Sequence, residues 1–358
     1  ALPIYFDNGK VTTPKGFKQA YDKYVEGGWQ SLTHPVDYGG QGMPQSLGLI
    51  KSEMMGTANW AWSMYPGLSL GAMNTLLDHG SEEQKQRWLP GMVSGEIVGA
   101  IGMTEPGAGS DLQGMKTSAE KDGDEFVING QKTFITNGQH ADLIVLAAKT
   151  DPKQGAKGVT LFTVDCHLEG YQKGRNLEKM GLHSGDTSEI FFQDVRVSSK
   201  EVLGGEGNGF ANLMNELPRE RLILAVGCVA AAEGMLDITV EYTLERQAFG
   251  APIAKLQNTK FVLADIKTEI ELNKALVEKY VARYVGGELT PVEASMSKLA
   301  ASEMQGRVAD QCVQLFGGYG YMREYPISRA YLDARIQRIY GGTSEIMKEL
   351  ISRSLVGR

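Results

Sequence analysis

The spacing of apolar positions divides the chain into three stretches. From Lys15 to about Val93 they recur at helical intervals. Lys15–Tyr24 predicts a short amphipathic helix ending near Gly27-Gly28, and Leu47–Met55 and Leu68–His79 predict two more, the last with Gly80 at its C-cap. Ser81-Glu82-Glu83-Gln84 has capping-box spacing and opens a helix to about Val93. After Gly95 the pattern shortens. Asp122-Gly123, Asn129-Gly130 and Asn137-Gly138 punctuate β-rich runs such as Glu125–Ile128 and Thr133–Thr136, a hairpin pattern. Ala141–Ala148, Gly158–Val164 and Glu189–Val197 add strands, with none of the intervening helices that a parallel sheet requires.

Helical spacing returns after Gly204–Gly209. The first long helix carries no charge from Leu222 to Ala232, with Pro218 placed in its first turn. The second shows a stripe at Leu263, Ile266, Ile270, Asn273, Val277, Tyr280 and Tyr284, the seam of helices packed nearly antiparallel. Thr290-Pro291-Val292-Glu293 is a capping box opening a third helix to Phe316. A fourth lies between Ser328 and Tyr340, and a terminal one between Ser344 and Leu355. The fold class expected is α+β multidomain: an N-terminal helical domain over residues 1–98, a middle antiparallel β-barrel over 99–205 and a C-terminal four-helix bundle over 206–358.

At 358 residues and 42% hydrophobic content the chain can bury sizeable cores. A formal charge of -7 argues against a nucleic-acid surface, which needs clustered Lys and Arg. Cys166, Cys228 and Cys312 are odd in number and far apart, so neither a disulfide framework nor a zinc motif is suggested. The five histidines show no ligand spacing, and no metal is expected. No apolar run is read as reaching the ~20 residues of a membrane span. The chain opens at Ala1 without a basic and apolar leader, as a processed or truncated product would.

Gly205-Glu206-Gly207-Asn208-Gly209 superficially resembles a dinucleotide loop, but no βαβ unit precedes it and its third glycine is misplaced. A flexible turn is the better reading. Met103-Thr104-Glu105-Pro106-Gly107-Ala108-Gly109-Ser110-Asp111 is different, because its glycines let backbone N–H groups approach an anion or a ring. In Glu216-Leu217-Pro218-Arg219-Glu220-Arg221, a charged pair heads an apolar helix. Taken alone it reads as a solvated helix end with its carboxylate at the positive dipole.

Together with Arg338-Ile339-Tyr340-Gly341-Gly342-Thr343-Ser344-Glu345, these stretches resemble the acyl-CoA dehydrogenase family. Gly114, Glu245-Arg246-Gln247-Ala248-Phe249-Gly250 and the run through Gly320, Tyr321, Glu324, Arg329 and Asp333 extend the resemblance. It covers the chain from about Pro35 onward, and beyond Glu216 it is nearest to the long-chain type. In that type the catalytic glutamate comes from the first bundle helix, where Glu220 stands, rather than from the more usual position, here Gly341. The helix that ordinarily opens the family's first domain has no counterpart in this sequence.

The resemblance implies an FAD-dependent α,β-dehydrogenation of a medium- to long-chain acyl-CoA. Glu220 would be the base, Arg221 would orient or balance it, and the Gly341 N–H would bind the thioester oxygen. FAD would be held by Ile101, Met103, Thr104, Gly109, Ser110, Phe134, Ile135, Thr136, Arg246, Phe249, Gln257, Gln314, Leu315, Gly317, Gly318, Thr343 and Glu345. Phe134 stands where most members carry a tryptophan. Ser110, Tyr340 and Gly342 would join Glu220, Arg221 and Gly341 around the substrate. A homotetramer and an electron-transfer flavoprotein as electron acceptor are implied too, in the cytoplasm of a bacterium or the matrix of a mitochondrion. The alternatives are a branched-chain or thioether acyl-CoA dehydrogenase, an acyl-CoA oxidase, or a non-catalytic flavin-binding relative.

Overall fold

The structure is a computed structural model that describes residues 4–7 and 10–357; the expectation concerning Ala1 lies outside them. Its contacts form two compact units. The first holds the chain up to Leu47, then Ala61–Lys179 and His183–Glu216; the second holds Gly48–Trp60, Met180–Leu182 and the chain from Leu217 onward.

In the first unit a short antiparallel pair, β1 (Tyr5–Asp7) and β2 (Lys10–Thr12), precedes α1 (Phe17–Glu26). Phe17, Tyr21 and Tyr24 on α1 pack their rings against Trp62 and Tyr65. Both aromatics belong to α2, which runs Gln45–His79 as one helix with a break at Asn59. Two separate helices were expected. A single non-helical residue suffices for the change of direction, and Pro66 is absorbed inside the helix. In α3 (Glu82–Val93) the expected capping box forms, with Ser81 Oγ accepting from the Gln84 N–H and Gln84 Oε1 from the Ser81 N–H.

The β layer of this unit is an eight-stranded sheet of β3 (Gly99–Gly102), β4 (Ser118–Asp122), β5 (Glu125–Thr136), β6 (Leu143–Lys149), β7 (Val159–Asp165), β8 (Tyr171–Asn176), β9 (Thr187–Ser198) and β10 (Val202–Leu203). It is antiparallel except where β3 and β4 pair parallel to β6. The first six residues of β6 are buried because both of its faces are covered. Leu143, Val145 and Ala147 meet α2 and α3 residues such as Met73, Leu76 and Leu89, while Ile144, Leu146 and Ala148 join Phe126, Phe162 and Ile190 on the other side. Asn129-Gly130 is not the expected hairpin: β5 runs straight through it with a register shift. A Cβ on Gly130 would meet Thr117 Oγ1 at 2.5 Å, so the glycine serves close strand approach at a bulge.

The second unit is the helical bundle. It is built from α4 (Gly209–Glu245, of which the part from Leu217 belongs here), a two-strand hairpin of β11 (Gln247–Ala248) and β12 (Ala251–Pro252), α5 (Gln257–Val285), α6 (Pro291–Phe316), α7 (Pro326–Ala334) and α8 (Ser344–Val356). The stripe read on α5 is confirmed in part, with Ile266, Ile270, Val277 and Tyr280 buried. Ile266, Ile270 and Val277 meet Ala225, Val229 and Ala232 of α4 and Ala301, Met304 and Val308 of α6 in one core. One correction concerns α4. It starts at Gly209, so Pro218 and the Glu220–Arg221 pair lie inside the helix rather than at its head. By length and composition alone α4 is apolar enough to cross a membrane. Its apolar residues serve the bundle core instead, where Leu222, Ala225, Cys228 and Ala232 are wholly buried, in keeping with the expectation of no span.

Candidate active site

Candidate residues fall in both units. In the first, the loop 103–110 leaves β3 and is fastened from below by a buried ion pair. Glu105 accepts from Lys132 Nζ at 2.7 Å and from the backbone N–H groups of Lys116 and Thr117, while Lys132 also donates to the Met103 carbonyl. Burial penalises both charges, and the Lys132 pKa is lowered by it. For Glu105 burial opposes, but Lys132 and the N–H donors outweigh it and hold the carboxyl below its ordinary value. The Thr133 N–H adds a bond to the Thr104 carbonyl. Above this anchor the loop is open: Gly109 and Ser110 are exposed, and a Cβ on Gly107 or Gly109 would meet nothing within 4 Å. Ile101, Met103 and Thr104 are half-buried at its root.

Phe134 lies two residues beyond Lys132, at the second register shift of β5. Its φ is 59°, left-handed backbone that costs an ordinary side chain roughly 1–2 kcal/mol. The ring gains no packing from it, since Phe134 is 66% exposed. An apolar ring held out of a β layer by strained backbone is a platform for a flat ligand. Its neighbours divide: the Ile135 side chain is buried in the β core, leaving only its backbone for a ligand, whereas Thr136 is half-buried. Asn137, also at positive φ, is buried and donates to the carbonyls of Tyr65 and Gly99, which fixes the end of the strand.

In the second unit Glu220 is half-buried on α4, and burial raises its carboxyl pKa, opposed only by nearby Arg219. A base working near neutral pH needs that direction of shift. Arg221, 5% exposed, donates from Nε to the Gly341 carbonyl at 3.1 Å and from Nη1 to Ser295 Oγ at 3.4 Å. Burial lowers its pKa to about 10. The turn it grips carries two left-handed glycines, Gly341 (φ 64°) and Gly342 (φ 99°). Lys298 of α6 holds the next carbonyl, that of Gly342, at 2.7 Å.

Lys298 escaped the reading of the sequence. It stands on the buried face Ala294–Ala301–Gln305–Val308 of α6, where it is 1% exposed. Tyr340, just before the turn, donates to Gln337 Oε1 and accepts from Trp60 Nε1.

Thr343 caps α8, its hydroxyl accepting from the Ile346 N–H. Glu345 is exposed in the first turn, with its carboxyl below the usual range through its own backbone N–H and the Thr343 hydroxyl. That shift is opposite to what proton abstraction at neutral pH requires. Arg246 is exposed and lies over the Tyr319 ring at 5.4 Å. Phe249 and Gly250, both at positive φ, form the tip of the β11–β12 hairpin, a turn that matches the twist of its strands. It projects the Phe249 ring into solvent at 95% exposure. Gln257 is exposed on the first turn of α5; Gln314 and Leu315 end α6, beside Gly317 and Gly318, where a Cβ would meet nothing.

The open glycine loop and Phe134 of the first unit offer an anion cradle and a ring partner, and the exposed Arg246–Phe249 hairpin of the second offers a cation with an aromatic, each a group that suits a flavin dinucleotide. Family models match along most of the chain. The acyl-CoA dehydrogenase N-terminal domain matches residues 7–96, the middle domain 100–195 and the C-terminal domain 207–356. A mitochondrial long-chain specific acyl-CoA dehydrogenase of Sus scrofa is 48% identical over 296 residues, 81% of this chain and 69% of that protein. Its counterpart in Rattus norvegicus is 44% identical over 328 residues, covering 88% and 76%. The crystal structure of an acyl-CoA dehydrogenase from Geobacillus kaustophilus superposes with a TM-score of 0.92 at 43% identity, covering 94% of this chain and 90% of that one. From its motifs, its fold and these likenesses, the chain belongs to the acyl-CoA dehydrogenase family of FAD-dependent oxidoreductases.

Proposed function

We propose that the chain dehydrogenates a medium- to long-chain acyl-CoA at its α and β carbons, with Glu220 as the base, and passes the electrons to an electron-transfer flavoprotein. One observation carries the assignment of the base. The family's more usual position holds Gly341, while Glu220 has a carboxyl whose pKa burial raises. FAD, when bound, supplies the acceptor for the β-hydride. Glu220 takes the α-proton, and the Gly341 N–H donates to the thioester oxygen, where charge develops as that proton leaves. Arg221 and Lys298 contribute by fixing the carbonyls of Gly341 and Gly342, so the turn carrying this N–H is held in one geometry. Phe134, Gly109 and Ser110 would hold the flavin and its phosphates, with Thr136 beside the ring. Arg246 and Phe249 would serve the cofactor of another subunit in a homotetramer. With mitochondrial relatives, the matrix is the compartment we assign if the source is a eukaryote, and the cytoplasm if it is a bacterium.

The test is a panel of saturated acyl-CoAs with an artificial electron acceptor, then with an electron-transfer flavoprotein, with peroxide monitored in air. Turnover with both acceptors and little peroxide is expected. Rapid peroxide formation would make the protein an oxidase, and FAD binding without turnover would remove the catalytic reading.

A further inference from the structure

Glu220 and Gly227 lie seven residues apart on α4, on nearly the same face and about 10 Å apart along the axis. Between them Leu224 reaches the catalytic turn: a Cβ on Gly341 would meet Leu224 Cδ1 at 2.9 Å. At Gly227 the face is covered by the Trp60 indole. A Cβ there would meet Trp60 Cζ3 at 2.1 Å and Cη2 at 2.3 Å, and a Cβ on Gly56 would meet Cζ3 at 2.7 Å. The six-membered ring thus fills a slot that exists only because both positions are glycine. Its other edge is tethered, since Nε1 donates to Tyr340 Oη at 2.9 Å and Tyr340 donates to Gln337 Oε1 at 2.8 Å. Gln337 is wholly buried and Tyr340 immediately precedes Gly341, so the indole is fixed to the same turn that carries the thioester donor.

We infer that Trp60 is the end wall of the acyl site, limiting how far a chain can extend along α4 from the base. The inference rests on Glu220 being that base. A carbon chain whose α-carbon sits at Glu220 has about 10 Å before the indole, on the order of eight carbons in extended form. Longer chains must bend or displace a ring held by a slot and a hydrogen bond. Trp60 is therefore a specificity-determining residue, and Gly227 opposite it, with Gly56 one turn before it on α2, is what allows so large a side chain there.

The experiment compares wild type, Trp60→Ala and Trp60→Leu across saturated acyl-CoAs from four to sixteen carbons. It measures kcat/KM with an artificial acceptor and, separately, Kd by calorimetry, after matching flavin content and thermal melting. In wild type, kcat/KM should fall beyond about ten carbons. Each methylene newly admitted is worth roughly fourfold, so Trp60→Ala should raise the ratio of sixteen-carbon to eight-carbon kcat/KM by at least ~10-fold, with Kd moving in parallel. Trp60→Leu should move it the same way by less, which also covers the case of an unstable alanine variant. If both variants keep the wild-type profile and affinities, Trp60 is not the wall. If wild type acts on acyl-CoAs but Glu220→Gln bleaches normally, the base is misplaced and this inference falls with it; unmoved profiles together with an inactive Glu220→Gln overturn the Trp60 inference alone.

Discussion

Replacing Lys298 with methionine tests whether the two buried cations are what hold the catalytic turn. The ammonium is buried at 1% exposure, bonded to the Gly342 carbonyl, and burial lowers its pKa from 10.5 to about 8. A depression of that size is the net cost of holding the charged form in the folded protein, on the order of 2–3 kcal/mol after allowing for partial solvent screening, with the bond to Gly342 already inside it. Lys298→Met removes that cost but leaves the Gly342 carbonyl without its donor, which costs roughly 1–3 kcal/mol. The two nearly cancel at pH 7, so Lys298→Met should leave stability there within about 1 kcal/mol of wild type. The pH dependence differs. Between about pH 8 and 10.5 the unfolded chain holds a proton on Lys298 that the folded chain has lost, so wild-type stability gains from this group as pH rises through that window. Below pH 8 both states are protonated and the full cost is present. Lys51, also lowered to about 8 by burial, contributes equally to both proteins and drops out of the comparison. Denaturant unfolding from pH 7.5 to 10 should show wild type gaining on Lys298→Met by up to ~1.4 kcal/mol per pH unit. Loosening the turn should also lower kcat by about tenfold, less than the 100-fold or more expected for outright loss of an oxyanion donor. Parallel stability curves together with unchanged kcat would refute the clamp.

Other outcomes follow from single contacts. Lys132→Met leaves the Glu105 carboxylate buried without its cation, so it should cost about 3–5 kcal/mol and lower flavin content, read by thermal melting and by the ratio of flavin to protein absorbance. Arg246→Ala and Phe249→Ala alter exposed side chains, so each should lower flavin content while leaving the melting of flavin-free protein within about 0.5 kcal/mol of wild type; equal loss of both would show a structural role instead. Moving the carboxylate by Glu220→Gly with Gly341→Glu puts a Cβ 2.9 Å from Leu224 Cδ1 at a left-handed position. Flavin bleaching should therefore recover further when Leu224→Ala is added, and no gain from that third change would contradict the predicted crowding.

Much of the fold was legible because its signals are local. Both capping boxes form where Ser81–Gln84 and Thr290–Glu293 placed them, since a cap is decided within four residues. The misreadings arise where distant packing overrules local chemistry. Asn129-Gly130 has the composition of a hairpin turn, yet pairing on both sides of β5 makes it a bulge. Pro218 looks like a helix start, but packing continues α4 for nine residues before it. At the site, Glu220 and Phe134 were singled out by the family resemblance, whereas Trp60 and Lys298 were not. Their roles depend on what other elements bring to them: Gly227 of α4 against the Trp60 indole, and the carbonyl of Gly342 against Lys298.

Proton abstraction by Glu220 is read out by anaerobic stopped-flow bleaching of the flavin with acyl-CoA. Glu220→Gln preserves size and hydrogen bonding while removing the base. Bleaching should slow by at least ~100-fold with acyl-CoA affinity little changed, and Glu345→Gln should bleach nearly as wild type does. Near-normal bleaching by Glu220→Gln, with the loss appearing in Glu345→Gln instead, would move the base to Glu345.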